Sequence, residues 1–227
     1  KAFEEVKPNL ILTVPLILEK IYKKMILPQL SKTTMKVALN IPLLDSRIYA
    51  QIRKKLVDAF GGRFREVIVG GAAMNEEVTN FLYKIKFPFT IGYGMTECGP
   101  LISYDHNDEY VPGSCGQILK GIMKVRIDSE DPYNKVGEIQ VSGENVMKGY
   151  YKNEEATSKV FTEDGWLRTG DLGTIDADNR IYIRGRSKTM ILGASGQNIY
   201  PEEIESKLNN LPFVMESIII EKNGKLV

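Results

Sequence analysis

Aromatic, hydroxyl and carboxylate side chains lie close together just after a short apolar segment, residues 89–91. Tyr93, Gly94, Thr96 and Glu97 fall within five consecutive positions. The tyrosine offers a ring for stacking on a base, the threonine a hydroxyl for a phosphate oxygen, and the glutamate a hard oxygen ligand suited to Mg²⁺. The combination indicates a site for nucleotide phosphates. A strand-terminating turn with an exposed Thr-Glu pair is the alternative explanation of the same residues.

A second carboxylate, Asp171, follows Thr169 and Gly170 and is expected to project from a tight turn. The two oxygens of a carboxylate held in this way can accept hydrogen bonds from both vicinal hydroxyls of a ribose. Arg186 supplies a cation that can reach ribose or phosphate oxygens. The structural alternatives are a turn whose aspartate caps local backbone amides and an ordinary surface arginine.

A turn rich in glycine and alanine is a third candidate contact. Gly70, Gly71, Ala72 and Ala73 follow the predicted strand 67–69, and open α/β sheets bind ligands at the carboxyl ends of their strands. The lack of bulk lets a flat ring lie against the backbone. Taken alone, this turn is more often needed only for close packing of a helix.

Adenylation of a carboxylate is a reaction that such residues can support. The substrate carboxylate attacks the α-phosphorus of ATP in line while pyrophosphate leaves, so a protein contributes mainly by positioning and by stabilising phosphate charge. The site needs an adenine slot, a grip on the ribose, a hydroxyl or cation at the α-phosphate, and a carboxylate that holds Mg²⁺ through substrate oxygens. The segments described above offer a candidate for each part.

Hydrophobic periodicity predicts the elements that position these residues. Residues 1–112 alternate helical and strand patterns, which indicates an α/β lobe with a buried, largely parallel sheet. Residues 113–186 contain runs of alternating apolar and polar residues between Gly, Asn and Asp turns, as in a β-rich subdomain. Residues 187–227 begin a third unit, with a helix that opens at Pro201.

Composition excludes several classes of protein. The 227 residues, 43% of them hydrophobic, can bury a substantial core, and a net charge of +1 gives no overall field for nucleic acid or a membrane surface. A single histidine excludes a histidine-based metal cluster, and two cysteines make a poor disulfide framework, which favours a cytoplasmic location. The apolar stretches are far shorter than the roughly 20 residues of a membrane span. The first residues look like the interior of a longer protein.

Three segments, in their order and spacing, resemble the adenylate-forming enzymes, and most closely the long-chain fatty acyl-CoA synthetases, which activate a carboxylate with ATP and pass it to coenzyme A. The segments are Tyr-Gly-Met-Thr-Glu at 93–97, Asp-Gly-Trp-Leu-Arg-Thr-Gly-Asp at 164–171 and Gly-Arg-Ser-Lys at 185–188. The resemblance implies an α/β fold, namely a partial adenylation-enzyme large domain made of an α/β lobe and a β-rich, barrel-like subdomain. The start of a small α+β C-terminal domain would follow.

The resemblance also implies roles for individual residues. Adenine would be contacted by three small residues and by a tyrosine with the glycine after it: Gly71, Ala72, Ala73, Tyr93 and Gly94. The ribose and the remaining nucleotide would be contacted by Asp171 and Arg186. Thr96 at the α-phosphate and Glu97 at the metal are the catalytic candidates.

Two further residues are placed by the resemblance outside the nucleotide site. Lys188 would lie at a hinge about which the small domain rotates. Gly196 would lie in a loop along the path of the pantetheine arm of CoA. Residues 145–153 also look like the long-chain synthetases, but a solvated loop between strands explains their charges, so we expect no catalytic role for them.

Two elements of the resembled family are not found in this sequence: the upstream Ser/Thr/Gly-rich phosphate loop and the catalytic lysine near the C-terminus. We therefore expect a fragment of an ATP-dependent long-chain fatty acid–CoA ligase that uses ATP, Mg²⁺, CoA and a fatty acid. Alone, it is expected to be inactive and prone to self-association. The alternatives are an adenylation domain that loads amino or aryl acids onto a carrier protein, and a non-catalytic nucleotide-binding module.

Overall fold

A computed structural model describes residues 2–193, 197–211, 213–214, 216–222 and 225–227. Contacts divide the chain into two compact units, Lys1–Gly92 with Asp105–Gly113, and Tyr93–Tyr104 with Ser114–Val227. The three-part division expected from the sequence, with boundaries at residues 112 and 186, stays a prediction.

The first unit is a three-stranded parallel sheet with helices in its connections. The strands pair in the order β1-β2-β3 and are β1 Leu10–Thr13, β2 Glu66–Val69 and β3 Phe89–Ile91. The helices are α1 Ala2–Val6, α2 Pro15–Ile21, α3 Leu27–Leu30, α4 Thr33–Leu39, α5 Leu44–Ala59 and α6 Glu76–Lys84, with a π-helical turn, Tyr22–Ile26, between α2 and α3. Parallel strands need such crossover connections, so the predicted α/β lobe is confirmed.

Helix α6 connects β2 to β3 and begins after an asparagine cap. The Asn75 side chain accepts hydrogen bonds from the backbone amides of Glu77 (3.0 Å) and Val78 (3.3 Å), which satisfies two of the amides left unpaired at a helix start. Phe81 and Leu82 are buried on its inner face. Val67 and Val69 of β2 are fully buried and belong to the same hydrophobic cluster as Phe81 and Leu82.

The second unit is built from antiparallel strands. They are β4 Tyr93–Gly94, β5 Leu101–Ser103, β6 Met123–Asp128, β7 Gly137–Gly143, β8 Leu167–Ile175, β9 Ile181–Arg186, β10 Ile191–Leu192, β11 Asn198–Ile199, β12 Glu221–Lys222 and β13 Lys225–Leu226. Two helices, α7 Glu154–Val160 and α8 Pro201–Leu208, and a 3₁₀ turn, Thr96–Cys98, complete it. This confirms the expected β-rich subdomain.

The main sheet of the second unit has four strands in the order β6-β7-β8-β9. Within the described part of the chain this sheet is not a closed barrel, because its outer strands, β6 and β9, do not pair with each other. Its inward face is apolar: Ile139, Val141, Leu167 and Ile181 are at most 1% exposed. These side chains form one buried cluster with Tyr93.

None of the helices in the described residues is long and apolar enough to cross a membrane.

Candidate functional site

The hairpin formed by β4 and β5 carries the Thr-Glu pair on its connecting turn. Gly94 begins this connection, and an added β-carbon there would overlap the carbonyl oxygen of Pro100. The Met95 amide donates to that same oxygen at 2.8 Å. The two backbone segments of the hairpin therefore approach too closely for a residue with a side chain at position 94. The 3₁₀ turn that follows leaves Thr96 exposed and Glu97 half-buried.

Asp171 is held by two of the side chains that the sequence analysis grouped with it. The Tyr93 hydroxyl donates to Asp171 Oδ2 at 2.7 Å, and Arg186 Nε lies 3.1 Å from Asp171 Oδ1. Asp171 and Arg186 face each other across β8 and β9, whereas Tyr93 comes from β4. The carboxylate is therefore fixed at both oxygens, and each oxygen keeps a second lone pair for another donor.

The Tyr93 ring is buried, with 7% of its surface exposed. Burial and the nearby Asp171 carboxylate raise the pKa of the Tyr93 phenol far above its ordinary value. The hydroxyl therefore keeps its proton and remains a donor to Asp171. Stacking of this ring on a base stays a prediction.

Glu97 has two partners that the sequence analysis did not find. The Tyr150 hydroxyl donates to Glu97 Oε1 at 2.9 Å, and the Met147 amide donates to the Glu97 carbonyl oxygen at 2.7 Å. The hydrogen bond to Glu97 raises the pKa of Tyr150, so the phenol stays protonated. Tyr150 belongs to residues 145–153, for which we expected only a solvated loop. The resemblance of this segment to the long-chain synthetases was the sequence signal that could have indicated a role near the site.

The small residues predicted to flank adenine follow β2 in the first unit. Gly71, Ala72 and Ala73 are all exposed. Gly71 has φ +87°, a left-handed conformation that favours glycine, and an added β-carbon would meet no atom within 4 Å. The turn is thus an open backbone surface, and its contact with a base stays a prediction.

The structure describes Lys188, the residue predicted for the hinge, but does not describe Gly196, the residue predicted for the CoA path. Lys188 is exposed in the turn that follows β9, where Ser187 N–H donates to the Gly170 carbonyl oxygen at 2.9 Å. The next residue, Thr189, donates from its hydroxyl to Glu202 Oε1 of α8 at 2.6 Å. Gly196 lies outside the described residues.

Asp164 and Trp166, at the beginning of the 164–171 segment, contact a side chain on β6. Both carboxylate oxygens of Asp164 accept from the Arg126 guanidinium on β6, and that guanidinium lies 4.6 Å from the centroid of the Trp166 ring. Hydrogen bonding from Arg126 lowers the pKa of Asp164 well below its ordinary value. Asp164 and Trp166 lie just before β8, the strand that contains Asp171.

Metal ions that are bound by side chains alone need several donors in one place. No group of three or more His, Cys, Asp or Glu side chains converges in the described residues in a way that could hold an ion. A single carboxylate such as that of Glu97 suits Mg²⁺ that arrives on nucleotide phosphates, because Mg²⁺ in such sites keeps water and phosphate oxygens as its other ligands.

The chain is similar to known proteins over most of its length. Residues 1–151 match the AMP-binding enzyme family. The chain is 28% identical to long-chain-fatty-acid–CoA ligase 1 of Saccharomyces cerevisiae, in a match covering 98% of this chain and 34% of that protein. It is 33% identical to 4-coumarate-CoA ligase 1 of Narcissus pseudonarcissus, covering 79% of this chain and 35% of that protein. It therefore spans about a third of the length of these relatives.

Solved structures share its fold. O-succinylbenzoate coenzyme A synthetase from Bacillus subtilis in complex with AMP has a TM-score of 0.72 and 26% identity, over 99% of this chain and 41% of that one. The ATP-bound MatB from Rhodopseudomonas palustris has a TM-score of 0.69 and 29% identity, over 95% of this chain and 38% of that one.

Proposed function

The chain belongs to the AMP-binding enzyme family, and from this premise we propose that it is part of an ATP-dependent acid–CoA ligase. The complete enzyme activates a carboxylate as acyl-AMP and transfers the acyl group to coenzyme A. The observation that carries the proposal is the arrangement in one unit of Asp171, held by Tyr93 and Arg186, and of Thr96 and Glu97 on the β4–β5 connection.

Asp171 serves as the ribose contact in this proposal. Tyr93 and Arg186 each occupy one lone pair of its carboxylate, and the remaining lone pairs accept from the two ribose hydroxyls. The Arg186 side chain, which is largely exposed, also extends towards solvent, where a nucleotide phosphate or ribose oxygen binds.

Thr96 and Glu97 serve at the reacting phosphate. The exposed Thr96 hydroxyl donates to an α-phosphate oxygen, and Glu97 binds the Mg²⁺ of the MgATP substrate. Both groups act by position and charge, which is what in-line attack of a carboxylate on the α-phosphorus requires of a protein. The backbone of Gly71, Ala72 and Ala73 borders the adenine.

A long-chain fatty acid is the acyl substrate that we propose. The match to the yeast long-chain ligase extends over 98% of the chain, whereas the coumarate ligase match covers 79%. Sequence identity favours the other class, at 33% for the coumarate ligase against 28%. An aryl acid is therefore the second candidate, and the match over nearly the whole chain favours the fatty acid.

The experiment is a substrate panel in ATP–pyrophosphate exchange, performed on the full-length product of the gene that encodes this chain. Palmitate, 4-coumarate and malonate are compared at equal concentration. We expect the highest kcat/KM with palmitate. Exchange with 4-coumarate alone would show that the acyl substrate is an aryl acid and not a fatty acid. Exchange with none of the three acids would contradict the ligase proposal.

The 227 residues alone are proposed to be catalytically inactive, since they span about a third of the length of the matched ligases. CoA-dependent turnover by this chain itself would contradict that statement. The proposal also includes a reducing cytoplasm, because Cys98 and Cys115 carry free thiols.

A further inference from the structure

Residues 145–150, which we name the bracing segment, are joined to the β4–β5 connection by four hydrogen bonds. Asn145 Nδ2 donates to the carbonyl oxygens of Cys98 (2.7 Å) and Leu101 (2.9 Å). The Met147 amide and the Tyr150 hydroxyl donate to the backbone and side chain of Glu97, at 2.7 and 2.9 Å. All four reach across more than 40 residues of sequence to one short turn.

The Asn145 amide fixes the backbone of this turn. Its one NH₂ group carries two hydrogens, and each is directed to a carbonyl oxygen on a different side of Gly99 and Pro100. An added β-carbon at Gly99 would lie 3.3 Å from the Asn145 carbonyl oxygen, so the two segments are in close contact. The shape of the turn that carries Glu97 is thus set from outside the hairpin.

The Tyr150 hydroxyl fixes the direction of the Glu97 carboxylate. The backbone of Glu97 is held by Met147 and one side-chain oxygen is held by Tyr150. A carboxylate restrained at its backbone and at Oε1 presents Oε2 in a defined direction. Hydrogen-bonding partners that orient a metal ligand are worth about 10- to 100-fold in metal affinity.

We propose that Asn145 and Tyr150 are positioning residues that orient Glu97 for the Mg²⁺ of the MgATP substrate. They act through Glu97 and need no contact with the reacting atoms. The inference rests on the proposed function, because it takes Glu97 as the carboxylate that binds this ion.

The first test measures the backbone and needs no catalytic activity. In hydrogen–deuterium exchange on this chain, Asn145→Ala should speed amide exchange at residues 95–99 by about 10-fold, since two hydrogen bonds are lost. Asn153→Ala is the matched control, because Asn153 caps α7 by accepting from the Ala156 amide at 2.9 Å. It should speed exchange only at the start of α7. Equal exchange at 95–99 in both variants would overturn the role of Asn145.

The second test measures Mg²⁺-dependent binding of a non-hydrolysable ATP analogue to the full-length gene product by calorimetry. Tyr150→Phe keeps the ring and removes the donor, so the Mg²⁺ concentration for half-maximal binding should rise about 10-fold. AMP binding without Mg²⁺ should stay unchanged. Tyr151→Phe is the matched control, because the neighbouring Tyr151 is 87% exposed, and its Mg²⁺ requirement should equal that of the wild type.

The Mg²⁺ requirement of Glu97→Gln shows whether Glu97 itself binds the ion, which is tested separately from the positioning role of Tyr150. If Glu97→Gln raises the Mg²⁺ requirement and Tyr150→Phe does not, the positioning role of Tyr150 is overturned while the ligase proposal stands. If Glu97→Gln leaves the Mg²⁺ requirement unchanged, Glu97 does not bind the ion, and the assignment of Glu97 and this inference are overturned together.

Discussion

At the residue scale, the buried phenol of Tyr93 and the carboxylate of Asp171 depend on each other. Removing the Tyr93 hydroxyl leaves Asp171 Oδ2 without the donor that lies 2.7 Å away. Leaving a buried acceptor without its partner costs on the order of 1–3 kcal/mol. The contact therefore links the folding of β4 against β8 to the group that we assign to the ribose.

We expect Tyr93→Phe to lower the free energy of unfolding of this chain by about 1–3 kcal/mol in urea denaturation. Tyr133→Phe is the matched control, because Tyr133 is 57% exposed, and it should change the value by less than about 0.5 kcal/mol. Equal stability of Tyr93→Phe and wild type would show that the hydrogen bond contributes nothing.

Cys115 gives a residue-scale prediction about pH. Burial of its thiol raises the pKa of Cys115 to about 12, against about 8.5 for an unperturbed thiol. The folded state therefore favours the protonated thiol. The resulting stabilisation is fully present below pH 8.5 and is lost as pH rises towards 12.

Iodoacetamide should accordingly label Cys115 much more slowly in the folded chain than in the urea-unfolded chain at pH 8.5, because the thiolate is the reactive form. The ratio should shrink as pH is raised. Peptide mass spectrometry measures the rate at this site. Labelling at the rate of the unfolded chain would contradict the raised pKa.

At the element scale, the β4–β5 connection depends on the close approach of Gly94 to Pro100. We expect Gly94→Ala to destabilise the chain by on the order of 2 kcal/mol or more, because the new methyl group overlaps a backbone carbonyl that cannot move without breaking the hairpin. Gly113→Ala is a partial control: a β-carbon there meets open space, although φ +84° adds backbone strain. A smaller loss for Gly94→Ala than for Gly113→Ala would contradict the packing argument.

The sequence predicts elements whose signals are local. An apolar run followed by glycine predicted β2, and the helix that opens at Pro201 is α8. The Tyr-Gly-Met-Thr-Glu and Thr-Gly-Asp segments predicted which polar residues to examine. They did not predict that Tyr93 donates to Asp171, because that contact joins residues 78 positions apart.

Two further contacts that the sequence did not predict are long-range contacts of polar residues outside the buried core. Tyr150 reaches Glu97 across 53 positions and Arg126 reaches Asp164 across 38. No hydrophobic period or turn signal in the sequence marks either pair. A single tyrosine or arginine outside an apolar pattern is usually a surface residue without a specific partner. The openness of the four-stranded sheet was likewise not evident, because alternation fixes the faces of strands and not their number.

At the scale of the whole molecule, the first unit exposes apolar side chains along β1 and the start of α2. Leu10, Leu12, Val14 and Leu16 are each at least 50% exposed. Among the described residues, β1 is an edge of its sheet, and an apolar edge strand favours association with another chain.

We expect this chain to self-associate, and Leu12→Lys to shift its sedimentation towards monomer, because a charge on an edge strand opposes pairing. Val37→Lys replaces an apolar residue that is 59% exposed on α4 of the same unit and is the matched control. A monomeric wild-type chain at micromolar concentration would contradict the expectation.

Calorimetric binding of a non-hydrolysable acyl-adenylate mimic to the full-length gene product tests whether Asp171 binds the ribose of a nucleotide. Asp171→Asn should weaken binding by about 10-fold or more, because hydrogen bonds to a charged acceptor are lost. Asp178→Asn, an exposed aspartate in the turn between β8 and β9, should bind as the wild type does. Equal affinity of wild type and Asp171→Asn would show that Asp171 does not bind the ribose.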